Sequence, residues 1–203
     1  MIKELSNREI YEEHIKTLKN LNLPHEKLII FFAGIPGSGK TYIAKFLEEG
    51  YSAVRISNDE LRKLIRKIYN KNFNSYLEDV DTSLYNYWEW FISNYDFPNK
   101  LIIADRGIER KYKNVFPFVK KLGYRIFIIN MKVDSRELLE KRVKKKLGGK
   151  LDRNFIENID RWIRENKEFN RDIKANIVIN NKSDENNKLN LQPLFLKLGK
   201  LIK

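Results

Sequence analysis

Residues 34–41 read Gly34-Ile35-Pro36-Gly37-Ser38-Gly39-Lys40-Thr41, a spacing able to cradle a chain of phosphates. Glycines allow backbone N–H groups to converge on an anion where a Cβ would stand in the way. A helix that begins at the end of the loop presents its positive end to the same anion. Lys40 is expected to neutralise β- and γ-phosphate oxygens, and the Thr41 hydroxyl to ligate Mg²⁺. The expected ligand is ATP or GTP with Mg²⁺, contacted by Gly34, Pro36, Gly37, Ser38, Gly39, Lys40, Thr41 and Tyr42.

Holding phosphate is not yet a reaction, so the other candidates concern what receives it. Asp59 and Arg62 are three residues apart and would share one helix face. Asp59 could accept the proton of an attacking hydroxyl, and Arg62 could hold a phosphate on the acceptor. Near a helix N-terminus Asp59 should stay ionised and be a weak base. That suits a loose transition state, in which the hydroxyl gives up its proton late. Asp105 closes an apolar run and is expected beside Mg²⁺ or Thr41, with Arg106 and Arg110 as candidates for the acceptor's phosphate. Arg142 and Lys146 are four apart in a basic stretch that ends at Gly148-Gly149. They are candidates for a lid, residues 136–153, closing over the γ-phosphate and excluding water.

These residues need a scaffold, and the hydrophobic pattern supplies one. Apolar runs at 28–33, 52–57, 101–105, 124–133 and 175–180 read as strands of the buried kind. Between them fall helical patterns. Ile43, Phe46 and Leu47 share a face, with Gly50 at the helix end. Ser57 and Glu60 open a further helix, 76–93 and 108–121 follow, the latter interrupted by Pro117, and then 135–146 and 154–168. An N-terminal helix over 7–20, capped by Ser6 and Glu9, precedes the alternation, and a C-terminal helix near 189–200 follows it. The expectation is an α/β protein of the P-loop NTPase type: one domain over 1–203 in three αβα layers around a five-stranded, mostly parallel sheet. Residues 1–26 would be a helical extension, and 189–203 would carry the last helix. In the aromatic run at 85–91 only Tyr85 and Trp90 fall off the buried stripe.

Asn181-Lys182-Ser183-Asp184 fits the guanine-reading pattern of GTPases. However, only 19 residues follow Asp184, and Asp105-Arg106-Gly107 is not D-x-x-G. A motor ATPase would place a Glu beside the strand-end Asp, where this chain has Arg106. The kinase class remains.

The chain has 203 residues with no cysteine and a net charge of +13. Disulfides and thiolate metal sites are thereby excluded, and no apolar run approaches bilayer length, so a cytoplasmic protein is expected. Residues 110–153 hold fifteen Lys+Arg against four Asp+Glu. This is most of the net charge, and it points to an anionic partner. The leading acceptor is a nucleic-acid 5′-hydroxyl. The alternatives are a nucleoside, nucleotide or sugar-nucleotide kinase of toxin-like character, and a nucleotide-gated binding protein with weak ATPase activity.

"GIPGSGKT", Asp59-Glu-Leu-Arg62 after a strand, a strand ending in Asp105, and Lys141-Arg142 in a later basic segment together resemble the polynucleotide-kinase branch of P-loop kinases, which is related to zeta-type toxins. The resemblance covers about residues 27–180. It implies that Asp59 is the general base, that Arg62 contacts the acceptor phosphate and that Arg142 stabilises the transferring phosphoryl. Three positions depart from the pattern: Arg106 and Gly107 stand where phage-type enzymes have Thr-Asn, and Lys146 replaces a later arginine.

Overall fold

The computed structural model describes residues 27–51, 53–61, 101–146, 148–149, 153–182, 189 and 191–201. The expected helices at 7–20 and 76–93, Arg62, Tyr85 and Trp90 lie outside them, as does the Lys146 side chain.

Five strands form one sheet: β1 (Leu28–Ala33), β2 (Val54–Ser57), β3 (Leu101–Gly107), β4 (Arg125–Lys132) and β5 (Ile177–Asn180). Their spatial order is β2-β3-β1-β4-β5, and every pairing is parallel. The helices are α1 (Lys40–Tyr51), α2 (Tyr112–Lys121), α3 (Arg136–Lys146), α4 (Arg153–Asp172) and α5 (Gln192–Gly199). β1 shows why its run is apolar without alternation. Phe31 faces one cluster with Phe116, Val119 and Phe169 of α2 and α4. Phe32 faces the other, with Ile43 and Leu47 of α1 and Leu194 and Leu198 of α5. Both faces of the sheet are thus covered, giving three layers, as parallel strands require.

Several local expectations change. Phe46 is 41% exposed; it leans on Phe195 of α5 rather than sharing the buried face of Ile43 and Leu47. α1 runs through Gly50 to Tyr51, so Gly50 is inside the helix and the Ala53 amide closes the end on the Glu48 carbonyl. Residues 108–111 form turns, and α2 starts at Tyr112 and continues through Pro117. The basic helix expected over 135–146 is α3, Arg136–Lys146, and the expected Gly148-Gly149 break follows it. Gly148 and Gly149 both have positive φ, and their amides bond the carbonyls of Lys145 and Lys144, a Schellman ending. The C-terminal helix is shorter than 189–203, spanning Gln192–Gly199 with Pro193 in its first turn.

Candidate active site

The phosphate loop leaves β1 at the centre of the sheet and leads into α1, at the carboxyl edge where parallel sheets bind ligands. Gly34, Gly37 and Gly39 have φ of 134°, 85° and 100°. A Cβ on Gly34 would lie 2.6 Å from the Met131 carbonyl and 2.7 Å from Ser38 Oγ, so glycine is required there on two counts. Lys40 Nζ donates to the carbonyls of Gly34 and Ile35, which places the ammonium inside the loop. The first turn of α1 leaves its leading amides without intrahelical acceptors.

Asp105 reaches the same point from β3. The β1–β3 register pairs Phe31 with Ala104 but Phe32 with Gly107. Asp105 and Arg106 therefore fall in an irregularity that bends the strand and re-aims its side chains. Thr41 Oγ1 donates to Asp105 Oδ1 at 3.1 Å. The other carboxylate oxygen accepts from Arg55 Nη1 at 2.9 Å. Hydroxyl and carboxylate oxygens side by side at a phosphate loop are the hard donors Mg²⁺ takes, so Thr41 and Asp105 fit that ion. Burial pushes the Asp105 carboxyl above its ordinary value; Arg55, the Thr41 hydroxyl and Lys40 pull it only part of the way back.

Arg55 was not among the sequence candidates, although a charged residue in the buried strand Val54–Ser57 is a signal. It is 5% exposed and is shared by three carboxylates: Glu48 of α1 at 2.8 Å, Asp105 of β3 at 2.9 Å, and Glu60 just beyond β2. Burial works against its charge; the hydrogen bonds and charges of Glu48 and Glu60 more than offset this and hold it protonated.

Asp59 lies two residues past β2, exposed, in the first helical turn over 58–61, where Ser57 Oγ accepts from the Glu60 amide at 3.4 Å as the expected cap. Since Ser57 is opposite Asp105 in the β2–β3 register, Asp59 shares the sheet edge with Asp105 and Thr41. Arg106 is half-buried on β3. Arg110 is turned to α4, its Nε 2.7 Å from Glu165.

α3 packs onto the loop itself. Ser135 caps it, accepting from the Leu138 amide at 3.2 Å, and Leu139 and Val143 lie against Gly37 and the α4 residues Phe155 and Ile159. Arg142 donates to Asn181 Oδ1 at 2.7 Å and, at 3.4 Å, to the Gly37 carbonyl. Asn181 is fully buried, and its amide nitrogen donates to the Ser38 carbonyl at 3.1 Å. Asn181, weighed in the sequence only as a guanine reader, thus tethers the end of β5 to the phosphate loop and to α3. Tyr42 stands beside an apolar groove of about 580 Å³ between α1 and α5, lined also by Phe46, Leu191, Gln192 and Phe195.

Two acidic or amide residues had no sequence signal at all. Glu109 accepts from the Gly34 amide, and Asn166 of α4 donates to the same carboxylate oxygen at 3.0 Å. Among the described residues no group of three or more His, Cys, Asp or Glu side chains forms a metal cage, and no helix is long and apolar enough to cross a membrane.

The zeta toxin family model matches residues 12–89. Among solved structures, one from the PezAT chromosomal toxin–antitoxin system of Streptococcus pneumoniae superimposes with a TM-score of 0.61 at 13% identity, covering 99% of this chain and 96% of that one. A gluconokinase from Sinorhizobium meliloti gives 0.54 at 10% identity, covering 89% and 95%. No curated protein sequence matches the chain. The chain has the P-loop kinase fold and resembles the zeta-toxin group.

Proposed function

We propose that the protein is a Mg²⁺-dependent phosphotransferase that moves the γ-phosphoryl of ATP or GTP to a hydroxyl of a small anionic acceptor, such as a sugar nucleotide. The observation that carries this reading is the meeting of Lys40, Thr41 and Asp105 on the phosphate loop, with Asp59 one strand away on the same edge. The loop amides and Lys40 grip the triphosphate, and Tyr42 lies where the nucleoside can rest against it. Thr41 and Asp105 would hold Mg²⁺, which would supply positive charge to the phosphate groups. Asp59 takes the proton of the acceptor hydroxyl as its oxygen bonds to the γ-phosphorus. The bond to the β–γ bridging oxygen breaks, and the nucleoside diphosphate leaves. Arg62 orients the acceptor. Arg142 brings positive charge toward the donor side, and α3 helps to exclude water; the role expected of Lys146 is the same.

The likeness to a zeta toxin and to a gluconokinase supports a small acceptor. Transfer to a polynucleotide 5′-hydroxyl is the second reading, supported by Lys141, Lys144 and Lys145, which are exposed along α3. Incubation with γ-labelled ATP, Mg²⁺ and a panel of a 5′-hydroxyl oligonucleotide, nucleosides, UDP-sugars and gluconate separates the two. Label on a small acceptor is the expected result, and label on the oligonucleotide alone would reverse the order. ATP binding with no acceptor labelled would leave a nucleotide-gated binding protein.

A further inference from the structure

We infer that Glu109 is a positioning residue of the phosphate loop, held in place by a rail of asparagines on α4. The inference rests on the reading of that loop as a nucleotide grip. Both backbone polar groups of Gly34, where the loop begins, are taken by charged side chains, the N–H in the peptide that enters the residue and the carbonyl in the peptide that leaves it. The N–H donates to Glu109 Oε1, and the carbonyl accepts from Lys40 Nζ. Both are charge-assisted bonds, stronger than neutral ones.

Glu109 is itself steered. Asn166 donates to Oε1 at 3.0 Å; Asn170, one turn further along α4, donates to Asn166 Oδ1 at 2.9 Å; and Asn130 of β4 donates to Asn170 Oδ1 at 2.5 Å. Asn130 is 1% exposed and is paired with Ala33, the last residue of β1, in the β1–β4 register. The circuit therefore starts and ends at the Ala33-Gly34 step, crossing β4, α4 and the end of β3. Space is left for it as well: a Cβ on Gly107 would sit 2.6 Å from Glu109 Oε2. The spacing of Asn166 and Asn170 puts both amides on one helix face.

The consequence concerns nucleotide capture. When a triphosphate enters, Lys40 must leave the Gly34 carbonyl for phosphate oxygens, and the loop loses one of its two charged restraints. Glu109 keeps the preceding Ala33–Gly34 peptide fixed through its N–H, so the loop entry holds its place and the amides that follow stay aimed at the phosphates. An acceptor oxygen in the right place is what matters, more than the charge it carries, so an isosteric amide should serve.

The test is calorimetric binding of ADP and of ATP with Mg²⁺ to the wild type, Glu109→Ala, Glu109→Gln, Asn166→Ala and the Glu109→Ala/Asn166→Ala pair, with a melting curve for each. Glu109→Ala should weaken nucleotide binding by about tenfold or more, the scale of one lost charged hydrogen bond. Glu109→Gln should stay within about threefold of wild type, because its carbonyl oxygen can accept both bonds. The double variant should bind no worse than Glu109→Ala alone, since Asn166 acts only through Glu109. Unchanged binding in Glu109→Ala, an equal loss in Glu109→Gln, or additive losses in the pair would each overturn the inference. Should Glu109→Ala fail to fold, Glu109→Gln and Asn166→Ala decide: near-wild-type binding in the first with a several-fold loss in the second supports it, and any other pattern sinks it. A wild-type protein that binds no nucleotide would instead take down the reading beneath.

Discussion

Arg55 shows how one side chain can connect the three parts of the proposed transfer site. Its guanidinium joins α1, which carries Lys40 and Thr41, to Asp105 of β3 and to Glu60 beside the proposed base. Arg55→Met leaves a buried carboxylate without its cation, and breaking such a pair costs about 3–5 kcal/mol; a fall of that size should appear in denaturant unfolding. Lys40→Ala should abolish both tight nucleotide binding and transfer, whereas Asp59→Asn should bind ATP normally and lose at least about a hundredfold in turnover. Full activity in Asp59→Asn, measured by label transfer, would remove the base assignment. Asp105 gives a pH prediction. The folded protein holds its proton to higher pH than the ordinary value of 3.8. Its contribution to stability is therefore present below that value and is lost as pH rises through the raised one. The proposed reaction uses Asp105 as the carboxylate, so under that reading activity should decline on acidification sooner than an ordinary aspartate would allow. A kcat/KM profile with an acid limb only at the ordinary value would contradict this.

At the scale of elements, the irregularity in β3 and the seating of α3 do most of the positioning. The sequence predicts a strand ending at Asp105, but β3 continues to Gly107 because the offset at Phe31–Phe32 lets it resume pairing with β1, where the Ile108 amide bonds the Phe32 carbonyl. No periodicity reveals such an offset, since it depends on the partner strand. α3 reads from its charges as an exposed basic helix, yet Leu139 is 2% exposed and touches the loop. Leu139→Ala should cost about 2–5 kcal/mol of stability and raise the nucleotide KM, because the packing behind Gly37 is lost. Thermal melts and steady-state kinetics on the same preparation check both effects. Arg142 completes that seat by joining α3, the loop and the end of β5.

For the molecule as a whole, folding redistributes the charge that is so concentrated between 110 and 153. β4 separates its start at Arg125 from its end at Lys132 by about 23 Å, so Lys120, Lys121 and Arg125 lie far from α3. α4 then brings acids against the segment: Glu165 on Arg110, Asp160 on Arg136 and Glu157 on Arg153. Among the described residues the cations of this segment do not form a continuous basic track. Binding of a single-stranded oligonucleotide should therefore be weak, with a shallow dependence on salt. A loss of about 10³–10⁵ in affinity between 50 and 200 mM salt would instead favour the polynucleotide reading. The loop glycines, Lys40, Thr41 and the alternation of apolar strands with helices were legible by themselves, because a phosphate grip and a doubly covered sheet are built from residues close in sequence. Arg55 with its three carboxylates, Glu109 with its asparagine rail and the Asn181 tether were decided only by the tertiary structure. Each joins residues from separate elements, and only the strand order β2-β3-β1-β4-β5 brings those elements to one edge.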